Sequence, residues 1–149
     1  MELGDPVRSM LDHKGWGALS ISPDQTVYEA IQKMAEHGVG ALVVVEGERL
    51  VGMFSERDYA RRVILEGRTS RDTLVRKIMT EDVVTVEPDA TVDSCMHLMT
   101  ERRIRHLPVM TIGRVAAVIS VGDLVKWIIS RQSETIQHLQ HYISGGYPL

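Results

Sequence analysis

Ile21-Ser-Pro-Asp-Gln-Thr-Val27 returns 65 positions later as Val86-Glu-Pro-Asp-Ala-Thr-Val92. The same offset runs on without a gap. Met34 meets Met99, Glu36 meets Glu101, Leu42 meets Leu107 and Val44 meets Val109. Arg49 then matches Arg114, Ser55 matches Ser120, and Asp58 matches Asp123. A register kept over about 45 positions with its apolar pattern intact is a tandem repeat, not chance. A fainter echo lies upstream, where Val7-Arg-Ser-Met-Leu11 resembles Val75-Arg-Lys-Ile-Met79 at an offset of 68. About three extra residues therefore sit near His13–Trp16.

Each copy reads as β-α-β-β-α. A short extended segment (residues 18–22, 83–87) ends at Pro-Asp-x-Thr. Thr26 and Thr91 are helix N-caps, and Thr26-x-x-Glu29 is a capping box. Val27, Ala30, Ile31, Met34 and Ala35 follow helical spacing, as do Val92, Cys95, Met96 and Met99. Two strands joined by a tight turn come next (41–45 and 50–54; 106–110 and 115–119). A second helix then opens at Ser55 or Ser120, running through residues 59–65 or 124–131. Residues 66–71 are polar and read as the linker. Residues 133–144 form an amphipathic last helix with Ile136, Leu139 and Ile143 on one face, ended by Gly145-Gly146. Repeats of about 65 residues are marginal alone, so the expected fold is α/β in the α+β sense. Two β-α-β-β-α repeats would pack face to face with pseudo-two-fold symmetry. Residues 1–68 would hold the first repeat with its N-terminal helix, and 69–149 the second with the C-terminal amphipathic helix.

Composition narrows the function. The 149 residues are 44% hydrophobic and 25% charged, with a formal net charge of -3. That is near the globular average, which argues against disorder. No stretch approaches the ~20 apolar residues of a membrane span. The first residues lack a basic segment followed by an apolar core, and Cys95 is the lone cysteine, so a reducing, cytoplasmic setting is expected. One cysteine excludes Cys-cluster metal sites, and the six His do not space as a ligand set. His138 and His141, at i and i+3, read as a solvated helix face. A slightly acidic chain with 5% aromatics makes a poor nucleic-acid binder. Thirteen Arg against four Lys, however, favour a local site for a phosphate or carboxylate.

Ser55-x-x-Asp58 and Ser120-x-x-Asp123 stand where a strand passes into a helix. They read either as helix caps or as a ligand clamp. In the second reading Asp accepts both hydroxyls of a ribose while Ser and free N–H groups hold an adjacent phosphate. Arg105 and His106, entering the apolar Leu107-Pro108-Val109, are odd by burial statistics. They either reach the surface or meet an anion. Gly52 would let its strand approach a neighbour or a ligand; the second copy has Ala117 there. Arg57 is a first-turn surface Arg or a phosphate contact, and Arg61, Arg62, Arg102 and Arg103 read as surface charge. Cys95 reads as a small buried residue. Gly15–Gly17 and Gly38–Gly40 lack the rest of a dinucleotide fingerprint, and no nucleophile signature is present.

The tandem pattern, with Gly52-Met-Phe-Ser-Glu-Arg-Asp58, Arg103-Ile-Arg-His-Leu-Pro-Val109 and Ser120-Val-Gly-Asp123, resembles a pair of cystathionine β-synthase (CBS) domains, a Bateman module. The resemblance covers residues 7–131 and leaves no stretch for a catalytic domain. It implies a non-catalytic regulatory module that binds an adenine nucleotide in clefts between the repeats. AMP is the first choice, because one phosphate needs few basic groups; ATP, NAD(H) and S-adenosylmethionine stay open. The resemblance places Asp58 or Asp123 on ribose and Ser55 or Ser120 on phosphate. Arg105, His106 and Arg57 would neutralise charge, and the Ile104–His106 backbone would lie beside adenine with Pro108 following. The first-copy counterpart Val39-Gly40-Ala41 carries no charge, so the second copy is expected to be the better phosphate site. No cofactor is required, a homodimer through the helices is implied, and the alternatives are a protein-interaction adaptor or a nucleic-acid-binding module.

Overall fold

The computed structural model describes residues 4–143. Helix α1 (Val7–Lys14) leads to strand β1 (Ser20–Ile21), helix α2 (Val27–His37) and the hairpin strands β2 (Ala41–Glu46) and β3 (Arg49–Ser55). A short helix α3 (Glu56–Asp58) passes into a π-helix (Tyr59–Ile64), followed by α4 (Val75–Ile78). Helix α5 (Val92–Arg102), strands β4 (His106–Thr111) and β5 (Arg114–Ser120) and helix α6 (Val121–Ile143) complete the chain. The fold is thus α+β, as the repeat pattern predicts. The chain divides into two compact units. One contains residues up to 15, 87–107 and from 119 onward; the other contains 16–86 and 108–118.

The second unit is built on the order β1-β2-β3, with β1 parallel to β2 and β2 antiparallel to β3. The β1–α2–β2 crossover makes the parallel pair possible, since parallel strands need a long connection. Alternation along β2 splits its side chains between two faces. Leu42 and Val44 join Val27, Ala30, Met34, Phe54, Val63 and Ile78 in one core. Ala41 and Val43 join Met53 on the other face, with Val83, Val115 and Val118 against them. Because both faces are covered, β2 is a continuous apolar run. Each large side chain buried this way stabilises by roughly 1.5–3 kcal/mol.

The helix caps form as the sequence predicts. The Glu29 N–H donates to Thr26 Oγ1 (3.2 Å) and the Thr26 N–H donates to Glu29 Oε1 (3.3 Å). In α5, the Ser94 N–H donates to Thr91 Oγ1 (3.0 Å). Such a cap is worth about 1 kcal/mol. Both helices end on a left-handed residue, Gly38 at φ 65° and Arg103 at φ 55°. Buried residues of the first unit include Val7, Met10, Leu11, Val92, Cys95, Met99, Leu107, Ile119 and Leu124. Cys95 is a buried small side chain, as its helical position predicts; burial raises its thiol pKa, against a smaller lowering by Ser94.

Several expectations change. The strand expected at residues 83–87 reduces to an isolated parallel bridge, Val86 to Val109. Ala35 is exposed, so the apolar stripe of α2 stops short of it. The helix after Ser55 is mostly π-type. The two helices expected at 124–131 and 133–144 are one continuous α6, because no Gly or Pro interrupts Ser130–Thr135. The proposed stop at Gly145-Gly146 lies outside the described residues.

Candidate functional site

The Ser-x-x-Asp boxes sit at matched strand-to-helix junctions, one in each unit. At the first, the Glu56 N–H donates to the Gly40 carbonyl (3.1 Å), and Ala41 pairs with Ser55 across β2 and β3. At the second, the Val121 N–H donates to the Arg105 carbonyl (2.9 Å). The repeat offset carries one bond onto the other, so residues 39–41 and 104–106 hold equivalent places. Val39, Gly40 and Ile104 are half-buried, and Ala41 is buried. His106 is half-buried at the start of β4, and Arg105 and Arg57 are exposed. Pro108 lies buried further along β4, where its carbonyl accepts the Val86 N–H (3.0 Å).

Both boxes close as reciprocal caps. Asp58 Oδ2 accepts from the Ser55 N–H (2.9 Å) and from Ser55 Oγ–H (3.0 Å), while the Asp58 N–H donates to Ser55 Oγ (3.3 Å). Asp123 Oδ2 accepts from the Ser120 N–H (2.8 Å), and the Asp123 N–H donates to Ser120 Oγ (3.0 Å). The capping role read from the sequence is thus present at both. It fixes each carboxylate against the first turn, a rigid placement that a ligand clamp also needs.

The third partner separates the two copies. Asp58 Oδ1 accepts from Thr80 Oγ1–H (3.0 Å), a neutral donor, and Asp58 is only 8% exposed. Asp123 Oδ2 instead meets the Lys14 ammonium at 2.7 Å, and its side chain is 25% exposed. Burial works to raise the Asp123 pKa. Hydrogen bonds from Lys14 and Ser120, with the Lys14 charge, outweigh it and hold the carboxyl below its usual value. The second copy therefore sets a partly exposed carboxylate against Lys14, with Arg105 and His106 in the segment bonded to its helix start, where the first copy has Thr80, Gly40 and Ala41.

Neither Thr80 nor Lys14 is on the list of residues the boxes suggest by themselves. The upstream echo carried the signal: Thr80 follows the Val75–Met79 copy, and Lys14 falls in the three-residue insertion near His13–Trp16. Gly52 also finds its reason. A Cβ there would lie 2.7 Å from Met79 Sδ and 2.9 Å from the Thr80 carbonyl oxygen. The close neighbour is thus the chain's own 79–80 segment, held by paired backbone bonds between Met53 and Thr80 (2.9 and 2.8 Å). In the second copy Ala117 bridges Gly17, where a Cβ would meet nothing within 4 Å, so Gly17 answers to its φ of 105° and not to a close neighbour. Among the surface arginines, Arg62 donates to the Ile78 and Met79 carbonyls (3.2 and 3.0 Å) and so caps α4.

The model of the CBS domain family matches residues 17–65 and again residues 75–130. The chain belongs to the CBS-domain family. This CBS pair is 45% identical over 129 residues to the mitochondrial CBS domain-containing protein CBSX3 of Arabidopsis thaliana, covering 83% of the chain and 63% of the plant protein. It is 46% identical, with a TM-score of 0.82, to a putative signal-transduction protein with CBS domains from Burkholderia ambifaria. That match covers 86% of this chain and 96% of the other. The CBS domain pair of protein MJ0100, solved with 5'-methylthioadenosine and S-adenosyl-L-methionine, shares the fold at 21% identity (TM-score 0.76, 85% and 98% covered). The chain is a CBS-pair regulatory module. Among the described residues no helix is long and apolar enough to cross a membrane, and no cluster of three or more metal-ligating side chains occurs.

Proposed function

We propose that this CBS pair is a non-catalytic sensor of an adenine nucleotide, with AMP the first choice, bound at the Ser120–Asp123 box. The observation that carries the reading is the Lys14 ammonium 2.7 Å from Asp123, at a helix start whose first N–H is bonded to the Arg105 carbonyl. A ribose diol offers two donors that a fixed carboxylate accepts together. As the diol takes the Asp123 oxygens, the Lys14 ammonium is released toward the phosphate, where Arg105 and His106 add charge. One anion thereby replaces another on the exposed Lys14 ammonium, which keeps a partner throughout. The Ser55–Asp58 box, with its neutral Thr80 partner, would serve a nucleoside portion more readily than a phosphate. Adenosyl ligands on another CBS pair of this fold support the ligand class, and ATP, NAD(H) and S-adenosylmethionine belong to the same test. Lys14 ends α1, so a ligand that changes its partner shifts the position of α1 by the difference in affinity for the two arrangements.

The test is thermal unfolding of the native chain, Asp58→Ala and Asp123→Ala against AMP, ADP, ATP, NAD+, NADH and S-adenosylmethionine. At ~100 times its dissociation constant a ligand stabilises by about 2.7 kcal/mol, worth roughly 5–10 °C in a chain of this size. The shift should vanish in Asp123→Ala and survive in Asp58→Ala. No shift with any nucleotide would refute the reading and favour the adaptor alternative.

A further inference from the structure

A pocket at the turn end of the β2–β3 hairpin shares no residue with either Ser-x-x-Asp box, and we propose that it binds an aliphatic α-amino acid as its zwitterion. Ala41 pairs with Ser55 at one end of the hairpin, beside the Ser55–Asp58 box, and Glu46 pairs with Arg49 at the other. The pocket reaches to this second end. Alternation along the strands builds it. Ile21, Leu42 and Val44 turn into one core, which leaves Ser20 on the opposite face with Val43. The walls are Ala18, Val43, Val45 and Val115, and Ser20 adds a hydroxyl. The whole lining belongs to the second unit. The strand register slips between Val44 and Val45, which pair with Gly52 and Leu50. The resulting bulge bends the hairpin beside the pocket, a device common next to binding sites.

Size and charge select the ligand. The pocket holds about 210 Å³. Clefts for drug-sized molecules run roughly 300–1,000 Å³, so a nucleotide is too large and a single amino acid is of the right order. Val43 is buried at its base, whereas Glu48 and Arg114 stand 68% and 67% exposed at its mouth, with Glu48 Oε2 and Arg114 Nη2 2.8 Å apart. An apolar interior behind a paired acid and base is complementary to a molecule with an aliphatic body and both charges on one carbon. The ligand ammonium takes Glu48, and its carboxylate takes Arg114, whose planar guanidinium suits it. The exchange leaves no charge unpaired, and so exposed an ion pair is weak enough to open. A polar side chain would meet little besides the Ser20 hydroxyl and lose more hydrogen bonds to water than it regains. The repeat offset puts Pro108 and Met110 in the places of Val43 and Val45, and Gly113 in that of Glu48. The second copy thus has no acid there, so the repeated fold does not require one.

The test is NMR titration of the full native chain, following the methyl signals of Val43, Val45 and Val115. L-Leucine at about 10 mM, roughly ten times the dissociation constant of a millimolar ligand, should shift all three. L-Serine, L-leucinamide and isocaproate lack in turn the aliphatic body, the carboxylate and the ammonium. Each should bind about tenfold more weakly or worse. Glu48→Gln and Arg114→Gln should each weaken leucine binding by about tenfold or more, since each leaves one ligand charge without its partner. Both side chains are exposed, so the thermal transition should stay in place. No methyl shift with leucine, equal binding of serine, or leucine binding unchanged by both substitutions would overturn the inference.

Discussion

Gly52→Ala adds one methyl group to β3 at a point with no room for it. The new Cβ would sit 2.7 Å from Met79 Sδ and 2.9 Å from the Thr80 carbonyl oxygen. The thioether end can swing aside. The carbonyl cannot, because Met53 and Thr80 exchange backbone hydrogen bonds of 2.9 and 2.8 Å next to it. Overpacking of this kind costs about 1–3 kcal/mol, and the gain from removing a strand glycine offsets roughly 0.5–1 kcal/mol of it. A net loss of about 1–2 kcal/mol lowers the melting temperature by roughly 2–8 °C. The displacement is directed at function too, since Thr80 Oγ1–H is the donor to Asp58 Oδ1. Calorimetry of Gly52→Ala beside Ala117→Gly is the assay. The second substitution relieves no contact and only adds a strand glycine, so it should cost about 1 kcal/mol. A Gly52→Ala chain that melts at or above the native temperature would show that the 79–80 segment does not constrain β3.

Two further outcomes follow from the same geometry. Ile112, 94% exposed at φ 53°, is a β-branched residue in a left-handed turn where the first copy has Gly47 at φ 66°. Ile112→Asn should therefore stabilise by about 1 kcal/mol, read as a rise in the urea midpoint. Lys14→Met should raise the Asp123 pKa, measured by NMR titration, because the ion pair that lowers it is gone. Asp123 has a depressed pKa in the folded chain, so its contribution is full above the unfolded carboxylate value near about 4 and disappears as pH falls through the lower folded value. The stability difference between native and Lys14→Met chains, no more than about 1 kcal/mol for so exposed a pair, should be constant at neutral pH and shrink in acid. A difference that grows in acid would reverse the sign of this coupling.

Legibility in the sequence tracks locality. The repeat, the Thr26 and Thr91 caps and the Ser-x-x-Asp boxes depend on residues three or four apart, and spacing alone exposes them. The π-helix after Asp58 left no such mark, and the second-copy strand expected at 83–87 failed because one bridge to Val109 is all that pairs there. Lys14 is 109 positions from Asp123 and Thr80 is 22 from Asp58. Those partners were hinted at by the echo between Val7–Leu11 and Val75–Met79, which marks the following segments as counterparts without saying what they touch.

By itself, then, the sequence determined a tandem β-α-β-β-α chain, its helix starts, and which carboxylates stand at rigid strand-to-helix junctions. These are short-range consequences of period, capping and burial. Tertiary structure decided what completes each junction: a hydroxyl on Asp58, an ammonium on Asp123, and in the first copy alone a segment close enough to require Gly52. Repeated sequence implies repeated local geometry, but charge at a site is a sum over neighbours in space. Here the neighbours that distinguish the copies come from segments outside the repeat's regular register.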